Sequence, residues 1–204
     1  MEQINGYRFE NKSIELVDFD RLMDGKTANI LYTDPPWNDG NIKYWATHNK
    51  KKTGVECDPM SFKDMFGYIE NIISSYIHGY VFIEVGVKQM EVVIDMLSAV
   101  IYNVKRHNVL YRSGSKWLPN RVISAVTDVK YPPFEGVLEG VKCSGLTLPD
   151  KCIRAVGEEG NIVMDPFCGL GNTLRATKLN GLSFVGNEFN TARLEKTLEI
   201  ARVL

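Results

Sequence analysis

Apolar runs bounded by polar punctuation recur along the chain, and their periods alternate between that of a strand and that of a helix. Ser13 to Val17 reads as a short strand, Ala28 to Thr33 as a second and Tyr80 to Val85 as a third. Between the last two, Ser61 stands where a helix cap belongs. Behind it Phe62, Met65, Phe66, Ile69, Ile72, Ile73 and Tyr76 fall at helical spacing, predicting a helix to about Ile77. Val87 to about Val100 predicts another, with Met90, Val93, Ile94 and Leu97 on one face. Two β-rich runs, around Asn108 to Arg112 and Arg121 to Thr127, flank Gly114 and Pro119 as a hairpin at a sheet edge would. A helix from about Pro149 to Val156, a strand from Asn161 to Met164, a helix from about Thr173 to Leu179, a strand from Ser183 to Val185 and a helix from about Thr191 complete the pattern. This alternation predicts an α/β fold: a mainly parallel, seven-stranded sheet with a β-hairpin edge and helices on both faces. No internal repeat or low-complexity linker interrupts residues 1–204, so one domain is expected.

Composition narrows the class without naming a chemistry. The 204 residues are 44% hydrophobic and 24% charged, which suits one globular domain with a full core rather than a disordered or fibrous chain. The formal charge of −1 gives no global attraction to nucleic acid, so any such binding rests on local patches. There is no apolar run of membrane-crossing length, and Met1 to Asn5 lacks a basic then apolar leader pattern, so a cytoplasmic protein with no membrane partner is expected. Cys57, Cys143, Cys152 and Cys168 form no CxxC pair, and His48, His78 and His107 show no ligand spacing. Reduced thiols and no metal are expected, with His78 ending a helix.

Two clusters carry candidate chemistry. Asp34-Pro35-Pro36-Trp37 follows the apolar run Ile30-Leu31-Tyr32, at the carboxyl end of a buried strand. Prolines lack an N–H and have a fixed φ, so the Asp34 and Pro35 carbonyls can point outward and accept hydrogen bonds from an amino group. Trp37 supplies a stacking face, and the whole suits a flat, amine-bearing ring such as a nucleobase. The second cluster, Asp165-Pro166-Phe167-Cys168-Gly169-Leu170-Gly171-Asn172-Thr173, lies after a strand and before a helix. Its glycines allow close backbone approach, and the helix start offers free N–H groups. Nineteen residues beyond Gly169 stands Glu188, where a carboxylate can hold both hydroxyls of a ribose. A dinucleotide site would want a small residue at Leu174 and a cation for its pyrophosphate, and neither is present. Asp165 would repel phosphate and could bind an ammonium, which favours S-adenosylmethionine as the cofactor.

Taken together, the two clusters resemble the amino-methyltransferases of nucleic acids, in the permuted β-type order of DNA adenine methyltransferases, where the catalytic motif precedes the cofactor motif. The resemblance runs from Ser13 to the carboxyl terminus and implies a single Rossmann-like methyltransferase domain. Its catalytic half spans about 13–127, a short recognition segment about 128–142 and the cofactor half about 143–204. It implies that Asp34, Pro35, Pro36 and Trp37 are catalytic, with Asp34 also facing the cofactor. Asp165, Phe167, Gly169 and Gly171, with Cys168, Asn172 and Thr173 of the same turn, form the cofactor loop; Glu188 holds the ribose, and Asp18, ending the first strand, lies beside the adenine. Family members place a Lys-Pro before the cofactor strand to hold the methionine carboxylate. This chain has Cys143-Ser144-Gly145-Leu146-Thr147-Leu148-Pro149 instead, leaving Ser144 or Thr147 for the task, although Thr147 is equally a plain helix cap.

Direct methylation of an exocyclic amine needs acceptors for its protons and no covalent intermediate, and no Pro-Cys pair for ring-carbon chemistry exists here. In a duplex the base must first be flipped out. By the family pattern Asp34 favours adenine over cytosine, and the complete glycine loop favours DNA over RNA, although Trp at the fourth motif position also occurs in messenger-RNA adenine methyltransferases. Substrate contact is expected from a loop carrying Lys43, Tyr44, Trp45, Lys50, Lys51 and Lys52, and from Arg112, Lys116 and Arg121 on the hairpin. The brief 128–142 segment implies relaxed recognition or a second subunit, and a homodimer is the expected assembly. Such economy would suit a restriction-associated or phage-borne modifier. Methylation of RNA and a catalytically silent nucleic-acid-binding subunit are the alternatives.

Overall fold

The computed structural model describes residues 1–54, 60–143 and 145–203. Nine strands among them form one sheet, two more than the apolar runs predict. Three strands are unpredicted and one predicted strand is absent; two of the three form an amino-terminal hairpin, β1 (Glu2–Ile4) and β2 (Tyr7–Glu10), closed by Asn5 and Gly6 at positive φ. Strand β2 carries Arg8 and Glu10 and so hides from an apolar count, yet all four of its residues are buried beside β9 (Ser183–Asn187).

Ser13 to Val17 is not a strand. Ile14–Leu16 is a single 3-10 turn whose N–H groups bond back locally, and Leu16 points to solvent, so only Ile14 is buried. Asp18 therefore ends no strand; its side chain accepts from the Arg21 N–H at 3.0 Å and caps α1 (Phe19–Met23). Next come β3 (Ala28–Thr33) and α2 (Asp39–Thr53). Helix α2 occupies the stretch expected to be a loop: Asn38 caps its start through the Asn41 N–H at 2.9 Å and Gly54 closes its end at φ 71°. It lacks an apolar stripe, which is why its periodicity was silent.

Helix α3 (Phe62–Tyr76) begins as predicted at Ser61, whose hydroxyl accepts from the Asp64 N–H, and it runs directly into β4 (Ile77–Val85). His78 thus lies in a strand and ends no helix. Helix α4 (Met90–Leu97) leads to the long hairpin β5 (Tyr102–Ser113) and β6 (Lys116–Val126). The hairpin is not outermost, because β7 (Lys142–Cys143) pairs with β5. Helix α5 (Thr147–Val156), β8 (Ile162–Asp165), α6 (Asn172–Leu179), β9 and α7 (Thr191–Arg202) complete the chain.

The sheet order is β1-β2-β9-β8-β3-β4-β6-β5-β7, parallel from β2 to β4, antiparallel for the pairs β1-β2, β4-β6 and β6-β5, and parallel again between β5 and β7. Helices α1, α3 and α4 cover one face through Leu22, Phe66, Ile69, Ile73 and Val93, against Leu31, Val81 and Ile83. Helices α5, α6 and α7 cover the other through Leu148, Ile153, Leu174 and Leu198, against Ile30, Tyr32, Phe82 and Phe184. Central strands buried on both faces read as unbroken apolar runs, which explains why β3, β4 and β8 were legible. The expected recognition segment is stitched to β5: the Gly140 N–H donates to the Asn108 carbonyl at 2.8 Å, and Phe134 packs on Phe82. Chain leaves β3 toward β4 and leaves β8 toward β9, in opposite directions along the sheet, so a crevice opens beyond the carboxyl ends of β3 and β8.

One glycine permits a close backbone approach at the other end of β3 and β4, away from that crevice. Gly79 has φ 151°, and a Cβ there would stand 2.2 Å from the Asn29 carbonyl oxygen, at the irregularity between β3 and β4. Replacing Gly79 with Ala is expected to lower unfolding free energy by about 2 kcal/mol, read as a fall in the denaturant midpoint with unchanged slope.

Candidate active site

The crevice is a cleft of about 560 Å³. Asp34, Pro35, Pro36 and Trp37 from the end of β3 line it together with Phe167 and Asn172 of the glycine turn and Glu188 beyond β9. Adjacent parallel strands deliver both clusters: Ile30 pairs with Val163 and Leu31 with Met164, so β3 and β8 end side by side.

A buried knot fixes this junction. The Thr33 hydroxyl donates to Asp165 Oδ1 at 3.0 Å, the Phe167 N–H donates to the same oxygen at 3.1 Å, and the Thr173 hydroxyl donates to Oδ2 at 2.6 Å. Asp165 is 3% exposed and does not line the cleft, so it serves as a tie between β3, the turn and α6 rather than as an open ligand for an ammonium. Burial pushes its carboxyl up to about 7, against the pull of these three donors. Thr173 is likewise buried, and Cys168 is buried with its thiol pushed well up by desolvation.

The glycine turn needs its glycines. Gly169 and Gly171 adopt φ 55° and 80°; a Cβ on the first would meet Arg193 Nη2 at 2.8 Å and on the second Ile200 Cδ1 at 2.9 Å. The Gly169 N–H donates to Glu188 Oε2 at 2.9 Å and the Asn190 N–H to Oε1 at 2.8 Å. Burial raises the Glu188 carboxyl, while Arg193 and those two N–H groups draw it down.

Asp34 opens to cleft solvent, yet protein atoms crowd its inner side. That crowding pushes its carboxyl up to about 6, opposed first by the Trp37 hydrogen bond and then by Arg193. Cleft water tempers the effect. The Trp37 Nε1–H donates to Asp34 Oδ1 at 2.9 Å, and the edge of Tyr111 meets the Trp37 ring at 5.1 Å, so acid and ring hold each other in place.

Helix α2 roofs the cleft through Asn41, Ile42, Trp45 and Asn49. It is pinned to α7 twice: the Arg193 guanidinium lies 4.7 Å from the Trp45 ring centre, and Asn190 donates to Asn49. Of the expected nucleic-acid residues, Trp45 and Arg112 line the cleft. Lys43, Tyr44, Lys50 and Lys51 are exposed on α2, and Lys116 is exposed at the hairpin tip. Arg121 is half-buried, bonded to the Asn120 carbonyl.

Asp18 does not line the cleft; Lys12, Ser13 and Ile14 occupy that side instead. Thr147 lines a separate groove with Leu146, Asp150 and Arg154. Ser144, Cys57 and the Lys52 side chain lie outside the described residues. Sequence reasoning also passed over Glu84, Tyr111, Asn187, Phe189 and Arg193, all of which line the cleft. Only Glu84 had a signal, a lone acid inside the apolar run Val81 to Val85. Among the described residues, no group of three or more His, Cys, Asp or Glu is placed to hold a metal ion, and no helix is long and apolar enough to cross a membrane.

Comparison with known proteins agrees with this geometry. Residues 141–199 match the family model for N6/N4 methyltransferases, described as DNA methylase. The matched stretch carries the glycine turn and Glu188. Solved structures share the fold over nearly the whole chain. A complex of M1.HpyAVI with SAM has a TM-score of 0.67 at 17% identity, over 95% of this chain and 98% of the other. The cytosine-N4-specific PvuII DNA methyltransferase has 0.65 at 14%, over 99% and 89%. TTHA0409 of Thermus thermophilus, assigned as a DNA modification methylase, has 0.64 at 15%, over 96% and 94%. No curated protein matches the chain.

The knot at Asp165 makes a pH signature. An acid whose pKa is raised in the folded state binds more protons folded than unfolded, so stability falls as pH climbs from the ordinary carboxylate range toward about 7. Asp165→Asn should flatten that fall. Melting temperatures at pH 5 and pH 7.5 are expected to differ less in the variant than in the wild type.

Proposed function

We propose that the chain methylates the exocyclic amine of adenine in DNA, with S-adenosylmethionine as the methyl donor. The observation that carries this reading is that Asp34 to Trp37 and the glycine turn with Glu188 open into one cleft. The donor set fits the cofactor: a carboxylate anchored by two backbone N–H groups faces the cleft where ribose hydroxyls need acceptors, and Gly169 and Gly171 leave room for a ligand against the backbone. The M1.HpyAVI structure of the same fold is a SAM complex, which supports the assignment.

When bound, S-adenosylmethionine supplies a methyl carbon already activated by positively charged sulfur. The protein's work is then alignment and electrostatics. Asp34 accepts one amino hydrogen and the Pro35 carbonyl the other, drawing the nitrogen lone pair out of conjugation with the ring. The Trp37 N–H steadies the Asp34 carboxylate, which also receives the proton shed by the methylated amine. The indole gives the flipped base a stacking face, offsetting part of an extrusion cost of about a few kcal/mol. Glu188 holds the ribose end.

On the same reading, the catalytic half spans about 13–127, the recognition segment about 128–142 and the cofactor half about 143–204. Lys43, Lys50 and Lys51 on α2 and Arg112 and Lys116 on the hairpin follow the phosphate backbone. The brevity of the recognition segment favours short or relaxed specificity, or a second copy or subunit that supplies it. Cytosine is the second reading, because the PvuII enzyme shares the fold and is cytosine-N4-specific. Asp34 favours adenine through the family pattern.

Labelled S-adenosylmethionine offered with duplex DNA, single-stranded DNA and RNA, followed by nucleoside analysis, is expected to yield N6-methyladenine in DNA. N4-methylcytosine would select the second reading, and absence of label in every acceptor would favour a silent subunit. Asp34→Ala should cut transfer by about 100-fold or more while cofactor affinity stays within a few-fold. Glu188→Ala should weaken cofactor binding by about tenfold or more. Because the Asp34 acceptor must be ionised, the transfer rate should fall on acidification through about pH 6, measured as kcat against pH.

A further inference from the structure

Glu84 is an acid that the transfer chemistry leaves without a task. It is half-buried in β4 and lines the cleft with Asp34. The last paired residues of β3 and β4 are Thr33 and Ile83, so the next positions along these parallel strands are Asp34 and Glu84. Their backbones are about 4.8 Å apart and their side chains leave the same face. No cation among the described residues forms an ion pair with Glu84. Its Oε1 accepts from the Tyr32 hydroxyl at 2.7 Å, and the Asn120 amide stands 3.5 Å from Oε2.

Asn120 supplies the second clue. It is fully buried, and its Oδ1 has no hydrogen-bond partner. Turning the amide over, a choice that heavy-atom positions alone leave free, brings that oxygen toward Glu84 Oε2. Two oxygens attract one another there only if Glu84 carries a proton. Burial first, then the adjacent Asp34, hold Glu84 well above the usual carboxylate range, in the same direction. The other groups around it are Asp165 on β8, Arg121 on β6, Tyr111 and Arg112 on β5, and Arg193 across the cleft on α7.

We propose that Glu84 is a specificity residue that reads the ring edge of the target base, donating as a neutral carboxylic acid to the ring nitrogen beside the amine that Asp34 grips. The proposal rests on the function given above and extends it. An acceptor at Asp34 beside a donor at Glu84 matches adenine at N6 and N1, and cytosine at N4 and N3. On its Watson–Crick edge guanine carries a hydrogen at N1, beside its amine, and there meets donor with donor. Asn120 is the resting partner that the base displaces, so the proton is kept in a site otherwise short of acceptors.

Three arms decide it. Glu84→Ala should lower kcat/KM on duplex DNA by about tenfold, and Glu84→Gln, whose amide can still donate, should restore most of that loss. Wild-type transfer should decline on the alkaline side as Glu84 ionises, and Glu84→Gln should lack that decline. Glu84→Ala at wild-type rates, or Glu84→Gln as impaired as Glu84→Ala with normal cofactor affinity, would overturn the proposal. In isotope-edited infrared spectra of glutamate-labelled protein without DNA, a protonated-acid band at neutral pH that vanishes in Glu84→Gln is expected. An ionised Glu84 there would overturn the proposal by itself. Failure of the wild type to methylate any DNA would count against the function instead, and the infrared band would still decide the state of Glu84.

Discussion

The Asp165 carboxylate is the joint on which the cleft is built. Three donors converge on it from the end of β3, from the turn after β8 and from the first turn of α6. Strand pairing alone brings β3 and β8 together, but it does not fix how the chain leaves each strand. The shared acid does, so the acceptor end at Asp34 and the glycine turn keep one relative position. Removing water from a carboxylate is costly, and three hydrogen bonds to one group offset much of that cost. The fold thereby spends an ionisable group on geometry at a place where geometry decides whether two ligands can meet.

Electrostatics around the joint follow from crowding of acids. Asp34, Glu84 and Glu188 line one cleft, Asp165 lies buried behind it, and the guanidinium of Arg193 faces Asp34 and Glu188 from α7. Such a site repels phosphate and welcomes a cation at its centre, while the lysines and arginines that suit a nucleic-acid backbone stand outside, on α2 and the hairpin tip. A chain of net charge −1 can thus present opposite signs to the two partners it is proposed to hold.

What the sequence disclosed was what periodicity and punctuation can carry. Strands β3, β4 and β8 are buried on both sides, so their apolar runs stood out, and the prolines after Thr33 and the glycines after Asp165 marked where they end. Asp34 to Trp37 and Glu188 were legible because their residue types are chemically pointed and sit at strand ends. Strand β2 escaped because Arg8 and Glu10 are buried by tertiary contacts that no local pattern announces. Helix α2 escaped because it has caps but no apolar face, and Asp18 was misplaced because a 3-10 turn and a strand share the short pattern Ile14-Glu15-Leu16. Arg193 and Tyr111 reach the cleft only through the pairing of distant elements, which sequence spacing does not encode.

The amino-terminal hairpin has an effect on the architecture as a whole. It tucks against the last helix, where the Asn5 side chain donates to the Ala201 carbonyl at 3.0 Å. The first hairpin and the last helix therefore brace each other at the flank of the sheet, so loosening the turn at Asn5 would also free the end of α7.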